Sequence, residues 1–198
     1  MQLCCIKINE SVAYIKKHIR LSFKNSAELT EYYRSLQVDY PKFFKMDGLS
    51  KLGFLASEMI FKDDENRFVP REDMAIIGFN RSSSLEIDTQ YEATIHDNEN
   101  YFPSPSLFVY TLPNIVTGEI AIRNKFFGET SFYICENFDA EQIFRTVRNV
   151  FSDKSINFVL AAWIEYFEAK QEVFMVLVES EKGGRTFTEN QLKILYNN

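Results

Sequence analysis

Strand-like apolar runs alternate with helix-like segments along most of the sequence, and this alternation allows few folds. The strand candidates are 3–8 with 12–15, 73–79, 130–134, 156–164 and 172–180. The last two are separated by a join short enough for antiparallel neighbours. The pattern predicts an α/β domain with a mostly parallel five-stranded sheet, whose last strand runs antiparallel and whose faces both carry helices.

Helix-like segments with start signals lie between these strands. The helix candidates are 26–37, 48–61, 110–118, a segment that follows Asp139, and 188–196. Ser26, Asp47, Thr111 and Asp139 are the expected N-caps, and Gln142 completes a capping box with Asp139. Whether 118–124 extends the fourth helix or turns into extended chain stays open. The residues from 85 to 106 predict a long irregular connection.

Composition places the chain among soluble globular proteins. Its 198 residues suit a single domain, 1–198, and 45% of them are hydrophobic, which argues against disorder. The net charge of −6 disfavours a nucleic-acid surface, because binding phosphates requires concentrated Lys and Arg. Three cysteines, two of them adjacent at Cys4 and Cys5, suit a reducing compartment. With no apolar run that could span a membrane, a cytoplasmic location is expected.

Motifs for common cofactors are missing from the sequence. No glycine-rich dinucleotide or phosphate loop occurs, and no nucleophile elbow. The two histidines, His18 and His96, have no partner at metal-ligand spacing. Neither a cofactor nor a metal is therefore expected.

Cys135 is the candidate nucleophile. It comes directly after the strand candidate 130–134 and precedes a capped helix start, whose partial positive charge lowers a thiol pKa. A reactive thiolate that carries an acyl group is one interpretation. The other is a small, buried and inert cysteine.

The stretch "LPNIVTGEIAIRNKFFGE", 112–129, resembles a segment of the β-ketoacyl-acyl-carrier-protein synthases. The matching residues are Pro113, Asn114, Gly118, Ile120, Ile122, Arg123 and Gly128. Three further stretches are similar to this family in the same order: "KMDGLSKLGFLASEMI" (45–60), "INFVLAAWIEY" and "EVFMVLVESEKGG". The resemblance implies a thiolase-like fold, of which this chain is the N-terminal half only.

In the resembled family the nucleophile is a cysteine at the start of the helix after strand 130–134. Counting nine residues from Gly128 reaches Asn137, so Asn137 and Phe138 stand at the nucleophile-equivalent position and Cys135 lies two residues early. The family's two catalytic histidines come from its second half, and neither His18 nor His96 lies in a matching motif. The resemblance therefore implies a shortened, non-catalytic form.

Thiolase-like enzymes dimerise through the edge strand before the nucleophile helix, which implies an interface at Thr130, Phe132, Tyr133 and Ile134. The expected function is an accessory or chain-length-type subunit in fatty acid, polyene or polyketide biosynthesis. The expected partners are a full-length ketoacyl synthase, a second copy of this chain, or an acyl carrier protein. The alternatives are an acyltransferase or synthase that uses Cys135, and a binding module of unrelated role.

Overall fold

The computed structural model describes residues 13–168, 170–180 and 185–198. In this part of the chain six strands form one sheet in the order β3-β2-β4-β5-β1-β6. The strands are β1 (Tyr14–Phe23), β2 (Met74–Asn80), β3 (Thr130–Ile134), β4 (Phe158–Phe167), β5 (Lys170–Glu179) and β6 (Arg185–Thr186). The candidate strand 3–8 lies outside the described residues.

The sheet is mixed rather than mostly parallel, and it has six strands rather than five. Only β2 runs parallel to its neighbours, β3 and β4, whereas β5 pairs antiparallel with β4 and β1, and β1 with β6. The β4–β5 pairing confirms the predicted antiparallel neighbours. The difference has two sources: β1 extends to Phe23 and pairs antiparallel with β5 instead of ending near residue 15, and the short β6 adds a sixth strand.

Helices cover both faces, as predicted. They are α1 (Ser26–Ser35), α2 (Gly48–Ile60), α3 (Leu85–Glu92), α4 (Pro105–Val109), α5 (Ile115–Asn124), α6 (Ala140–Val150) and α7 (Glu189–Asn197), with a 3₁₀ turn at Pro41–Lys45. One apolar core lies between the sheet and α1, α2 and α5, and the second lies beneath α6 and α7. Side chains alternate along β4 and so contribute to both cores: Leu160 and Ile164 face the first, and Trp163 faces the second.

Several helix boundaries differ from the predictions. Asn25 rather than Ser26 caps α1, because its side-chain oxygen accepts from the backbone N–H groups of Ala27 and Glu28. The helix expected at 110–118 with Thr111 as its N-cap begins instead at Ile115 and continues to Asn124. Residues 118–124 therefore belong to the helix and are not extended chain.

The connection predicted to be irregular contains two short helices, α3 and α4. Helix α3 buries a single side chain, Ile87, and its N-cap Ser84 forms no side-chain capping bond. Without an apolar stripe or a capping bond, such a helix gives almost no periodic signal in the sequence.

Strand β3 has the predicted boundaries, and Gly128 explains how the chain enters it. A Cβ atom at Gly128 would overlap the backbone carbonyl oxygens of Glu72 and Met74. The glycine therefore lets the chain pass close to the start of β2 and pair in register with it. This is a physical reason for one of the glycines in the stretch 112–129.

Two features of the sheet place the candidate sites. The carboxyl ends of β2, β3 and β4 meet at one edge, where these strands end at Asn80, Ile134 and Phe167. Strand β3 is also an edge strand, because it stands at one end of the strand order. Among the helices that the structure describes, none is long and apolar enough to cross a membrane.

Candidate functional site

Helix α6 follows β3 after the short segment 135–139, which contains the two residues that the resemblance assigned to a former nucleophile position. Asp139 caps it, as predicted: its Oδ1 accepts from the N–H groups of Glu141 and Gln142 at 2.9 and 3.1 Å. The reciprocal half of the expected capping box is not formed among the described residues. The Gln142 side chain instead lines the same cleft as Cys135 and influences its thiol.

The environment of Cys135 does not activate its thiol. Burial raises the thiol pKa, the negative charge of Asp139 raises it further, and the neighbouring Gln142 side chain opposes them. The expected effect of the helix start is therefore outweighed by desolvation and by the acidic cap. A raised pKa leaves little thiolate at neutral pH, and the thiolate is the reactive form.

Replacing the cap tests this electrostatic balance. Asp139→Asn is expected to lower the pKa of Cys135 and to speed its alkylation by iodoacetamide, because a like charge beside the thiolate is lost. Asn is as good an N-cap as Asp, so α6 should remain intact. Peptide mass mapping against pH separates Cys135 from Cys4 and Cys5. An unchanged pH profile in the variant would show that Asp139 does not control this thiol.

Asn137 and Phe138, the two residues that the resemblance predicted at a nucleophile-equivalent position, are placed differently by the structure. Asn137 is exposed, whereas Phe138 turns inward and stacks on Tyr196 of α7, with ring centroids 3.7 Å apart. The Phe138 ring also meets Trp163 and Phe174 edge-on at 6.1 and 5.7 Å. An aromatic stack thus fills the space beneath the start of α6.

A cleft of about 610 Å³ opens above this stack. Its lining residues are Cys135, Glu136, Asn137, Phe138, Asp139, Ala140, Gln142, Lys193, Tyr196 and Asn197. Neither histidine contributes to it: His18 lies exposed on β1, and His96 lies exposed after α3. The cleft therefore holds a weakly acidic thiol but no imidazole that could act as its base.

Strand β3 presents the predicted interface residues, which are only partly covered. Phe132 packs inward, since a Cβ atom at Gly78 would overlap its ring. Tyr133 stacks on Phe79 with centroids 5.3 Å apart, yet 39% of it stays exposed. Ile134 is 52% exposed, and Thr130 is also exposed.

Backbone hydrogen bonds show which side of β3 is open. The Ile76 N–H donates to the Glu129 carbonyl, and the Cys135 N–H donates to the Asn80 carbonyl. Because residues alternate along a parallel ladder, the N–H and C=O groups of Thr130, Phe132 and Ile134 point away from β2. Within the described ranges no strand pairs with that side.

Two residues that the structure brings forward have no signal in the sequence, one in this cleft and one elsewhere on the sheet. Tyr196 lies 58 residues from Phe138 along the chain, and a lone aromatic in a terminal helix does not reveal its stacking partner. Glu165 of β4 is 2% exposed, and no motif in the sequence marks it. Among the residues described, no group of three or more His, Cys, Asp or Glu side chains is placed to hold a metal ion.

Comparison with known proteins establishes the fold. No family model and no curated protein matches the sequence. Solved structures do: "Ketosynthase (ApeO) in Complex with its Chain Length Factor (ApeC)" from Xenorhabdus doucetiae is similar at 13% identity and a TM-score of 0.60. The match covers 87% of this chain and 80% of that one.

Two further structures are similar over 85% of this chain and 62% of their own, so this chain spans less than two thirds of their length. The first is the ishigamide ketosynthase/chain length factor, with 17% identity and a TM-score of 0.67. The second is the AntDE:AntF complex of a type II polyketide ketosynthase with its acyl carrier protein, with 14% identity and a TM-score of 0.59. At these identities the likeness shows the fold, which is the thiolase-like fold of ketosynthases that the sequence predicted.

Proposed function

We propose that this protein is a non-catalytic ketosynthase-like subunit, a single domain that pairs through the open side of β3 with a full-length ketosynthase. The open side of β3 is the observation that carries this proposal. It offers three outward N–H and three outward C=O groups, at Thr130, Phe132 and Ile134, to a second strand.

Exposed apolar side chains occur on β3 and on the chain that leads into it. Ile122 on α5 is 65% exposed, Phe127 just before β3 is 68% exposed, and Ile134 is 52% exposed. Large apolar side chains near an unpaired strand expose apolar surface to water in a solitary subunit, and a partner that covers them removes this surface from water. They support a partner that covers α5 and β3 together.

The cleft at the start of α6 supports a role without chemistry. Asn137 stands where the resembled family has its nucleophile, and the Phe138–Tyr196 stack fills the space beneath it. The nearest thiol, Cys135, has a raised pKa, and no histidine lines the cleft. Condensation would then depend on the catalytic residues of the partner.

The likeness to structures that contain a chain length factor, and to one that contains an acyl carrier protein, supports the setting. We propose that the ketosynthase partner receives its acyl chains from an acyl carrier protein in a polyketide, polyene or fatty acid pathway. The carrier protein is then a second, transient partner of the complex.

Co-expression with a full-length ketosynthase of the same organism tests the pairing. We expect the two chains to elute together with the mass of a one-to-one complex in light-scattering chromatography. If this chain instead forms a homodimer and the ketosynthase elutes separately, the proposed heterodimer is wrong and the partner is a second copy of this chain. A monomer beside free ketosynthase would contradict the proposal.

The alternative of an acyl-enzyme at Cys135 has its own test. Incubation with an acyl thioester followed by intact mass spectrometry should show no adduct on this chain, because the thiol stays protonated. An adduct that maps to Cys135 and is lost in Cys135→Ser would favour the alternative, an acyltransferase or synthase that uses Cys135 as its nucleophile.

A further inference from the structure

A second cleft lies at the carboxyl ends of the parallel strands β2 and β4, and the proposed pairing does not use it. Its volume is about 590 Å³, within the range of small-molecule sites. The lining residues are Arg81, Ser82, Leu85, Glu165, Phe167, Glu168 and Lys170. In sheets with parallel strands, ligands bind preferentially at this end of the strands.

Glu165 is the unusual member of this lining, because it is 2% exposed while Arg81, Leu85 and Lys170 are exposed. Its Oε2 accepts from the Arg81 backbone N–H at 2.9 Å. Its Oε1 is buried and has no hydrogen-bond partner among the described residues. A buried carboxylate oxygen without a donor is costly, so a donor from outside the chain would relieve that cost.

The charges around Glu165 indicate which kind of donor is missing. No cationic side chain of the described residues forms an ion pair with Glu165, whereas its cross-strand neighbour has two such partners. Arg20 and Lys170 pair instead with Glu172, the residue opposite Glu165 on β5, at 3.9 and 3.1 Å. The carboxylate of Glu165 therefore lacks a counter-charge as well as a hydrogen-bond donor.

We infer that this cleft binds a small molecule with a primary ammonium group on an apolar stem. The ammonium group donates to Glu165 Oε1 and neutralises the carboxylate. The stem lies against Leu85 and Phe167, which supply the apolar walls of the cleft. Concave shape and volume favour a small ligand over a flat protein surface.

The Arg81 backbone amide reports directly on this site, since it donates to the other oxygen of the same carboxylate. We expect n-pentylammonium chloride at pH 7 to shift the Arg81 amide resonance in a saturable manner in ¹⁵N–¹H spectra. n-Pentanol, which has the same stem without the charge, should shift it little. Equal shifts by both compounds would reduce the cleft to an apolar groove and overturn the inference.

Glu165→Gln is the decisive variant, because Gln keeps an acceptor for the Arg81 N–H and places an amide NH₂ where Oε1 was. A donor in that position repels an ammonium group, and we expect binding to weaken by about tenfold or more. The matched control is Glu168→Gln on the exposed rim, which should bind within about twofold of the unchanged chain.

Thermal unfolding establishes that both variants are folded before they are compared. No saturable shift in the unchanged chain would mean that water alone satisfies Glu165, and this result overturns the inference. Undiminished binding by Glu165→Gln would overturn it as well. Because the readout is an amide in this chain and requires no ketosynthase, failure here leaves the proposed pairing through β3 untouched.

Discussion

Ile134→Pro is expected to leave this chain folded and to weaken its binding to a full-length ketosynthase by roughly 30-fold or more. The N–H of Ile134 points away from β2, so the proline ring removes no bond of the sheet. In the complex it removes one bond between strands and leaves the partner's carbonyl unsatisfied, which costs about 2 kcal/mol. Isothermal calorimetry with the purified ketosynthase measures the change.

Two control variants separate the contributions at this position. Ile134→Ala keeps the N–H and loses only the half-exposed side chain, so it should weaken binding less than Ile134→Pro. Tyr133→Pro removes an N–H that faces β2 and should destabilise the fold itself. If Ile134→Pro binds the ketosynthase as tightly as the unchanged chain, the partner does not pair with β3.

Glu58→Gln is expected to cause the largest loss of stability, about 3 kcal/mol in the free energy of unfolding. Glu58 is 3% exposed on α2, and its carboxylate pairs with Arg67 and with Arg123 of α5, the latter at 2.9 Å. Both guanidinium groups are largely buried. Without the carboxylate, two like charges remain together without a counter-charge, and α5 loses a tie to α2.

Urea denaturation followed by circular dichroism measures this loss. The matched control is Glu141→Gln on α6, which removes the exposed ion pair with Arg145. That change should alter the free energy of unfolding by no more than about 0.5 kcal/mol. Equal effects of the two substitutions would show that the buried cluster of Glu58, Arg67 and Arg123 contributes no more than a surface pair.

The parts of the fold that could be predicted are those with local signals. Asp47 and Asp139 cap their helices as expected, because an N-cap depends only on the next three residues. Strand β3 has the predicted boundaries, since β-branched and aromatic residues between Gly128 and Cys135 favour a strand. The segment between β3 and α6 therefore lies where the sequence predicted it.

The parts that could not be predicted depend on distant partners. Helix α5 contains Gly118, a weak helix former, but Val116 packs closely against Gly53 of α2 and stabilises the helix by tertiary contact. Strand direction likewise depends on which strand becomes the neighbour, and β1 runs antiparallel to its neighbour β5, which lies far away in the sequence. The unpaired Oε1 of Glu165 likewise depends on how distant elements pack around it, and no motif in the sequence marks that.

Hydrogen exchange of individual β3 amides, with and without bound ketosynthase, tests the proposed pairing most directly. If the partner adds a strand, the outward amides of Thr130, Phe132 and Ile134 become slow on binding. The amides of Ser131 and Tyr133, already bonded to β2, should change little. A complex that forms without slowing the three outward amides would contradict pairing through β3 and place the interface elsewhere.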